Sequence, residues 1–126
     1  MTSRNITVGE AELGIMKVIW SADEPVDTGF IGDAVKERGW KRTTISTFLT
    51  RLVEKGALKS EKRGKQYFYS ALISKEEYSK SQTGNLIKNL FGGSVKAFAA
   101  SLFESDELSD DDIRELKAII GSKEQK

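Results

Sequence analysis

The stretch Lys-Arg-Thr-Thr-Ile-Ser-Thr-Phe-Leu-Thr-Arg-Leu-Val-Glu-Lys at 41–55 constrains this chain more than any other. Ile45, Phe48, Leu49 and Leu52 recur at i, i+3, i+4 and i+7, a spacing that a helix gathers into one apolar stripe. The opposite face carries Thr43, Thr44, Thr47, Thr50, Arg51 and Lys55. A helix that needed only solubility would more often carry Glu and Lys there, because threonine is a poorer helix former. Short hydroxyl side chains with cations at both ends suit a helix lying in the major groove of DNA.

The flanking segments place this helix in an order. Thr7 and Glu10 have capping-box spacing, which predicts a first helix starting near Val8. Ala11, Ile15, Val18 and Ile19 form its apolar stripe, widened by Leu13, Met16 and Trp20, and Pro25 requires it to end by Ala22. Val26-Asp27 has room for a very short strand. Thr28 is a suitable N-cap for a second helix with Phe30, Ile31, Ala34 and Val35 on its apolar side, closed by Gly39. Gly56 closes the 42–55 helix. Residues 57–62 and 66–71 flank Arg63-Gly64-Lys65 and read as a β-hairpin. Three helices followed by a hairpin make a winged helix-turn-helix. The expected fold is therefore mainly α with a small β-hairpin, with a winged-helix domain over 1–73.

From residue 74 the pattern changes. Ser74 and Glu77 form another capping box, starting a helix that runs to about Phe91 before Gly92-Gly93 breaks it. Val95, Phe98, Ala99 and Leu102 repeat the helical spacing. Ser109 caps a last helix, with Asp110, Asp111 and Asp112 complementing its dipole, and 121–126 are expected to fray. Three short helices are too few to close a core alone. A second copy of the same segment would cover them, which makes 74–126 a helical dimerisation domain and the chain a homodimer. The expected contacts are Tyr78, Leu86, Ile87, Leu90 and Phe91 from the first of these helices. Val95, Phe98, Leu102 and Phe103 come from the second, and Ile113, Leu116 and Ile120 from the third.

The net charge of +1 conceals an asymmetry. Residues 36–65 hold ten cations against three acids, a net of +7, whereas 104–115 hold seven acids against Arg114, a net of −6. The basic block coincides with the threonine-faced helix and points to a polyanion partner. The absence of cysteine excludes disulfides, thiolate metal sites and cysteine nucleophiles; the absence of histidine removes the commonest general base and metal ligand. The chain is read as a non-enzyme without cofactor or metal. No apolar run is long enough to span a membrane, and 1–7 lack the apolar stretch of a signal peptide, so a cytoplasmic location is expected.

With this layout, the chain resembles the penicillinase-repressor family of BlaI/MecI-type regulators. The resemblance rests on Glu12, Ile15-Met16 and Ile19-Trp20 in the first helix, and on Trp40, Thr44-Ile45, Thr47, Leu49-Thr50-Arg51-Leu52 and Lys55-Gly56 around the third. It continues in Tyr67-Phe68-Tyr69 and in Leu108 through Leu116. The resemblance implies a dimeric winged-helix repressor on inverted-repeat operators ahead of antibiotic-resistance or related genes. It also implies release after a sensor-linked protease cuts the dimerisation part. The family's cut lies at an Asn-Phe-type bond; the aligned bond here is Ser101-Leu102. Copper-responsive relatives carry paired cysteines that this chain lacks.

Within that reading, Thr43, Thr44 and Thr47 meet base edges, and Arg51 reaches a base or a phosphate. Arg42, Lys62, Arg63 and Lys65 meet phosphates. The rival from another class is a winged helix that docks a protein and has no affinity for DNA.

Overall fold

Helix α1 (Glu10–Ser21) starts later than the Thr7/Glu10 spacing predicts. The computed structural model, which describes residues 6–124, makes Gly9 the N-cap instead. Glycine has no side chain to cap with, so only the acid half of the box forms: the Glu12 carboxylate accepts the Gly9 N–H at 2.8 Å. Glu12 is chosen over Glu10 because it also reaches Lys55, a tertiary partner that local spacing does not register. Strand β1 (Val26–Asp27) follows. Asp27, rather than Thr28, caps α2 (Thr28–Ala34) by accepting the Phe30 N–H at 2.8 Å. A single 3-10 turn (Lys36–Arg38) ends at Gly39, whose φ of 69° is left-handed, as a helix terminator requires.

Helix α3 (Arg42–Glu54) leads into β2 (Leu58–Arg63) and β3 (Gln66–Ala71). The sheet is antiparallel with order β1-β3-β2, so the two-residue strand joins the hairpin along its free edge. Arg63 pairs with Gln66, which leaves a two-residue turn, Gly64-Lys65, in place of the three-residue loop expected. Among these two, only Gly64 has positive φ (65°), the pattern of a type II′ turn.

The chain divides into two compact units, 1–82 and 83–126, with the division inside α4 (Lys75–Phe91). In the first unit α1 contributes Ile15, Met16 and Ile19, α2 Ile31, α3 Ile45, Leu49 and Leu52, and β2 Leu58 to one core. Phe30 and Ala34, expected on the buried side of α2, face solvent; Ile31 and Val35, one turn apart, take the core-facing side, and Phe30 and Ala34 are rotated about 100° away from it. The first turns of α4 also pack in this unit, beyond the expected limit at 73. Tyr78 is buried there, its ring centroid 5.8 Å from that of Trp20 and its hydroxyl accepting the Val8 N–H at 3.3 Å. Trp20 in turn donates its indole N–H to the Ile73 carbonyl at 2.9 Å. Tyr78 is therefore a core residue of the first unit and not a residue of an open dimer face.

In the second unit, α5 (Val95–Glu104) is capped by Ser94, and α6 (Asp110–Glu124) by a reciprocal Ser109/Asp112 pair. Helix α6 continues through 121–124, past the expected fraying point; 125 and 126 lie outside the described residues. Among the described residues, no helix is long and apolar enough to cross a membrane.

Candidate nucleic-acid interface

Helix α3 is held by its apolar side and leaves the other side open. Ile45, Leu49 and Leu52 are buried; Phe48 is half-buried, with its ring edge-on to Trp40 at 5.1 Å. The Arg38 guanidinium lies 5.0 Å above Trp40 and pairs with Glu10 at 3.4 Å, extending this anchor to α1. At 100° per residue, Thr43, Thr47, Thr50 and Glu54 fall on the face opposite the core, flanked by Ser46 and Arg51, and all six are exposed. Thr44 is half-buried and sits at the margin. Of the four residues expected at bases, the fold groups Thr43, Thr47 and Arg51 on the open face and places Thr44 at its edge. Ser46, Thr50 and Glu54 share that face and were not among the expected contacts; helical projection alone is enough to find them.

The ends of α3 differ electrically. Its N-cap, Lys41, makes no side-chain capping bond, and its first turn contains no acid. The positive end of the helix dipole thus stays uncompensated beside Lys41 and Arg42, an arrangement that favours an anion. At the other end, the Lys55 ammonium contacts Glu12 at 2.6 Å and the Thr7 carbonyl at 3.0 Å. Burial pushes the Glu12 carboxyl up, but the Lys55 hydrogen bond, the Gly9 N–H and the charges of Lys55 and Arg51 outweigh it. The carboxyl rests below its ordinary value and stays ionised. This pair fixes the C-terminal end of α3 against α1.

On the wing, register and alternation decide where each cation goes. Lys62 lies opposite Tyr67, its ammonium 5.9 Å from that ring. Arg63 points to the other face, 4.9 Å over Phe68 and 3.0 Å from Glu61. Its charge is therefore shared within the sheet before any ligand arrives. Lys65 occupies the turn and, with Arg42, lines a hollow of about 210 Å³ whose other walls are Asp27, Thr28, Gly29, Gln66 and Tyr67. Two of the four expected phosphate contacts are thus brought together from α3 and the wing tip. Tyr69 ties this sheet inward: burial, then the neighbouring Tyr67, raise its phenol pKa against a hydrogen bond with Thr28.

The second unit has the opposite character. None of its described residues is buried. Leu90, Val95, Phe103 and Ile120 are 70%, 65%, 51% and 56% exposed, and Leu86 is exposed as well. Ile87, Phe91, Phe98, Leu102, Ile113 and Leu116 are half-buried, with Phe91 and Phe98 edge-on at 5.7 Å. Ile119, absent from the expected contacts, is as open as Val95. Ser101 and Leu102 lie within α5, Ser101 exposed and Leu102 half-buried.

Comparison with known proteins gives a consistent picture. The profile of the penicillinase repressor family matches residues 8–122. A penicillinase repressor from Bacillus licheniformis is 31% identical over 113 residues, which is 90% of this chain and 88% of that protein. The methicillin resistance regulatory protein MecI of Mammaliicoccus sciuri is 27% identical over 123 residues, 98% of this chain and 100% of its own length. The solution structure of the DNA binding domain of the repressor BlaI aligns with a TM-score of 0.53 at 33% identity, covering 61% of this chain and 94% of that one.

Proposed function

The chain belongs to the penicillinase repressor family, and from this we propose that it is a DNA-binding transcriptional repressor acting as a homodimer on an inverted-repeat operator. The observation that carries the reading is the open face of α3. Thr43, Thr47 and Arg51 are presented together, backed by a packed core, with Arg42 and Lys65 converging beside them. Thr43, Thr47 and Arg51 reach base edges, Thr44 supports them from the margin, and Arg42, Lys62, Arg63 and Lys65 neutralise phosphates.

Division of labour follows the two compact units: the first, through residue 82, reads DNA, and the second, from residue 83, joins two copies. The dimer reading is supported by a second unit with large apolar side chains and no buried residue among those described. A contiguous exposed apolar surface marks an interaction site. Two linked half-site contacts raise affinity over one on the order of 10²–10⁴. The regulated genes are antibiotic-resistance genes of the β-lactamase type, or related ones. Release comes from a sensor-linked protease that cuts at Ser101-Leu102 and strips α6 from the interface.

The test is binding of the full chain to a penicillinase-type inverted repeat across a salt series, with a scrambled duplex as control. Tight, salt-sensitive binding that prefers the repeat is expected. Equal, weak binding to both duplexes and to sites drawn from a random library would instead favour the protein-docking alternative.

A further inference from the structure

Resting on the DNA-binding reading, we propose that the middle of α3 reads thymine 5-methyl groups, with Thr47 and Thr50 as the specificity-determining residues. The Thr47 hydroxyl donates to the Thr43 carbonyl at 3.0 Å, and the Thr50 hydroxyl to the Ser46 carbonyl at 3.0 Å. A hydroxyl has one proton, and these two are committed to the helix's own backbone. Neither remains to donate to the O6 or N7 acceptors of guanine. The other heavy group on each Cβ is the γ-methyl. Both threonines are exposed, and as i, i+3 neighbours they stand side by side on the helix surface. The back-bonds also hold χ1, so the methyls are presented without a rotamer search. Among the edges of the major groove, the group that matches a methyl is the C5-methyl of thymine. The hydroxyl oxygens retain lone pairs, so acceptance from an adenine or cytosine amino group is the competing outcome.

The experiment begins with site selection from a random duplex library by the full-length protein. In the selected operator, each thymine is then replaced singly by deoxyuridine, which lacks only the methyl, and affinity is measured by fluorescence anisotropy. One or two thymines per half-site should each lose about fourfold, the value of a single methyl removed from water. Thr47→Val should keep that sensitivity and Thr47→Ser should lose it at one position; Thr50→Ser should lose it at another. A flat uracil scan, or sensitivity that survives in Thr47→Ser and vanishes in Thr47→Val, overturns the assignment while leaving the repressor reading intact. A library that yields no site overturns both.

Discussion

Glu12→Gln removes one charge from the contact that ties α1 to α3 and changes little else. The Glu12 carboxylate is 7% exposed and meets the Lys55 ammonium at 2.6 Å; Lys55 is 37% exposed. A hydrogen bond to a charged group contributes about 1.5–3 kcal/mol, and leaving the partner unpaired in the interior costs more. Here water reaches Lys55, and the Thr7 carbonyl still accepts from it. Gln keeps an acceptor for the Gly9 N–H. The loss should therefore fall near about 1–2 kcal/mol, or roughly 5–12 °C in Tm for a unit of this size. The pH dependence gives a sharper check. The folded carboxyl lies below the ordinary value of 4.5, so its contribution is complete above that pH and is lost as pH falls through the folded value. Thermal unfolding followed by circular dichroism should show a constant gap between the two proteins from about pH 7 to 5.5, closing below about pH 4.5. A gap that stays constant into acid, or is absent at neutral pH, would refute the clamp.

Leu49→Ala, at a position with 0% exposure, should lower stability by about 2.7–5 kcal/mol in urea unfolding; under 1 kcal/mol would mean that α3 is not packed as described. Lys65→Ala should weaken binding alike for all sequences and reduce the slope of log affinity against log salt by about one, so an unchanged slope removes Lys65 from the phosphates. Leu90→Glu, at a residue 70% exposed, should preserve helix content yet yield monomers in sedimentation equilibrium; a dimer of undiminished affinity would put the interface elsewhere.

What the sequence made legible was whatever is decided within a few residues. The stripe of α3, the Ser74/Glu77 and Ser109 caps and the Gly92-Gly93 break depend on neighbours along the chain, and the structure has all of them. Boundaries moved where a distant partner competes. Glu12 displaces Glu10 as the capping acid because Lys55 waits beside it, and Asp27 displaces Thr28 as a cap while its backbone pairs with Phe68. Tyr78 misled for a related reason: helical spacing shows that a residue is buried, not by which unit. On the wing, three cations looked equivalent in one loop. Strand parity separates them, turning Arg63 towards Phe68 and Glu61 and leaving Lys65 beside Arg42.

The position of Ser101-Leu102 inside α5 links the proposed release to the proposed dimer. A protease needs extended backbone, so cleavage proceeds from a locally opened helix at a rate that follows the open population. With no residue of the second unit buried among those described, α5 would gain its protection from the second copy in the proposed dimer. If operator DNA binds the proposed dimer, it stabilises that dimer by linkage, about 2.7 kcal/mol at a concentration one hundred times Kd. If opening requires the copies to separate, saturating operator should slow cutting by up to about 100-fold, and the sensor pathway would act on free repressor and draw down the bound pool by mass action. Limited proteolysis with a non-specific protease, its cut sites mapped by mass spectrometry, measures this directly. Equal rates at 101–102 with operator and with scrambled duplex would show that α5 opens without dissociation, and would separate DNA release from dimer stability.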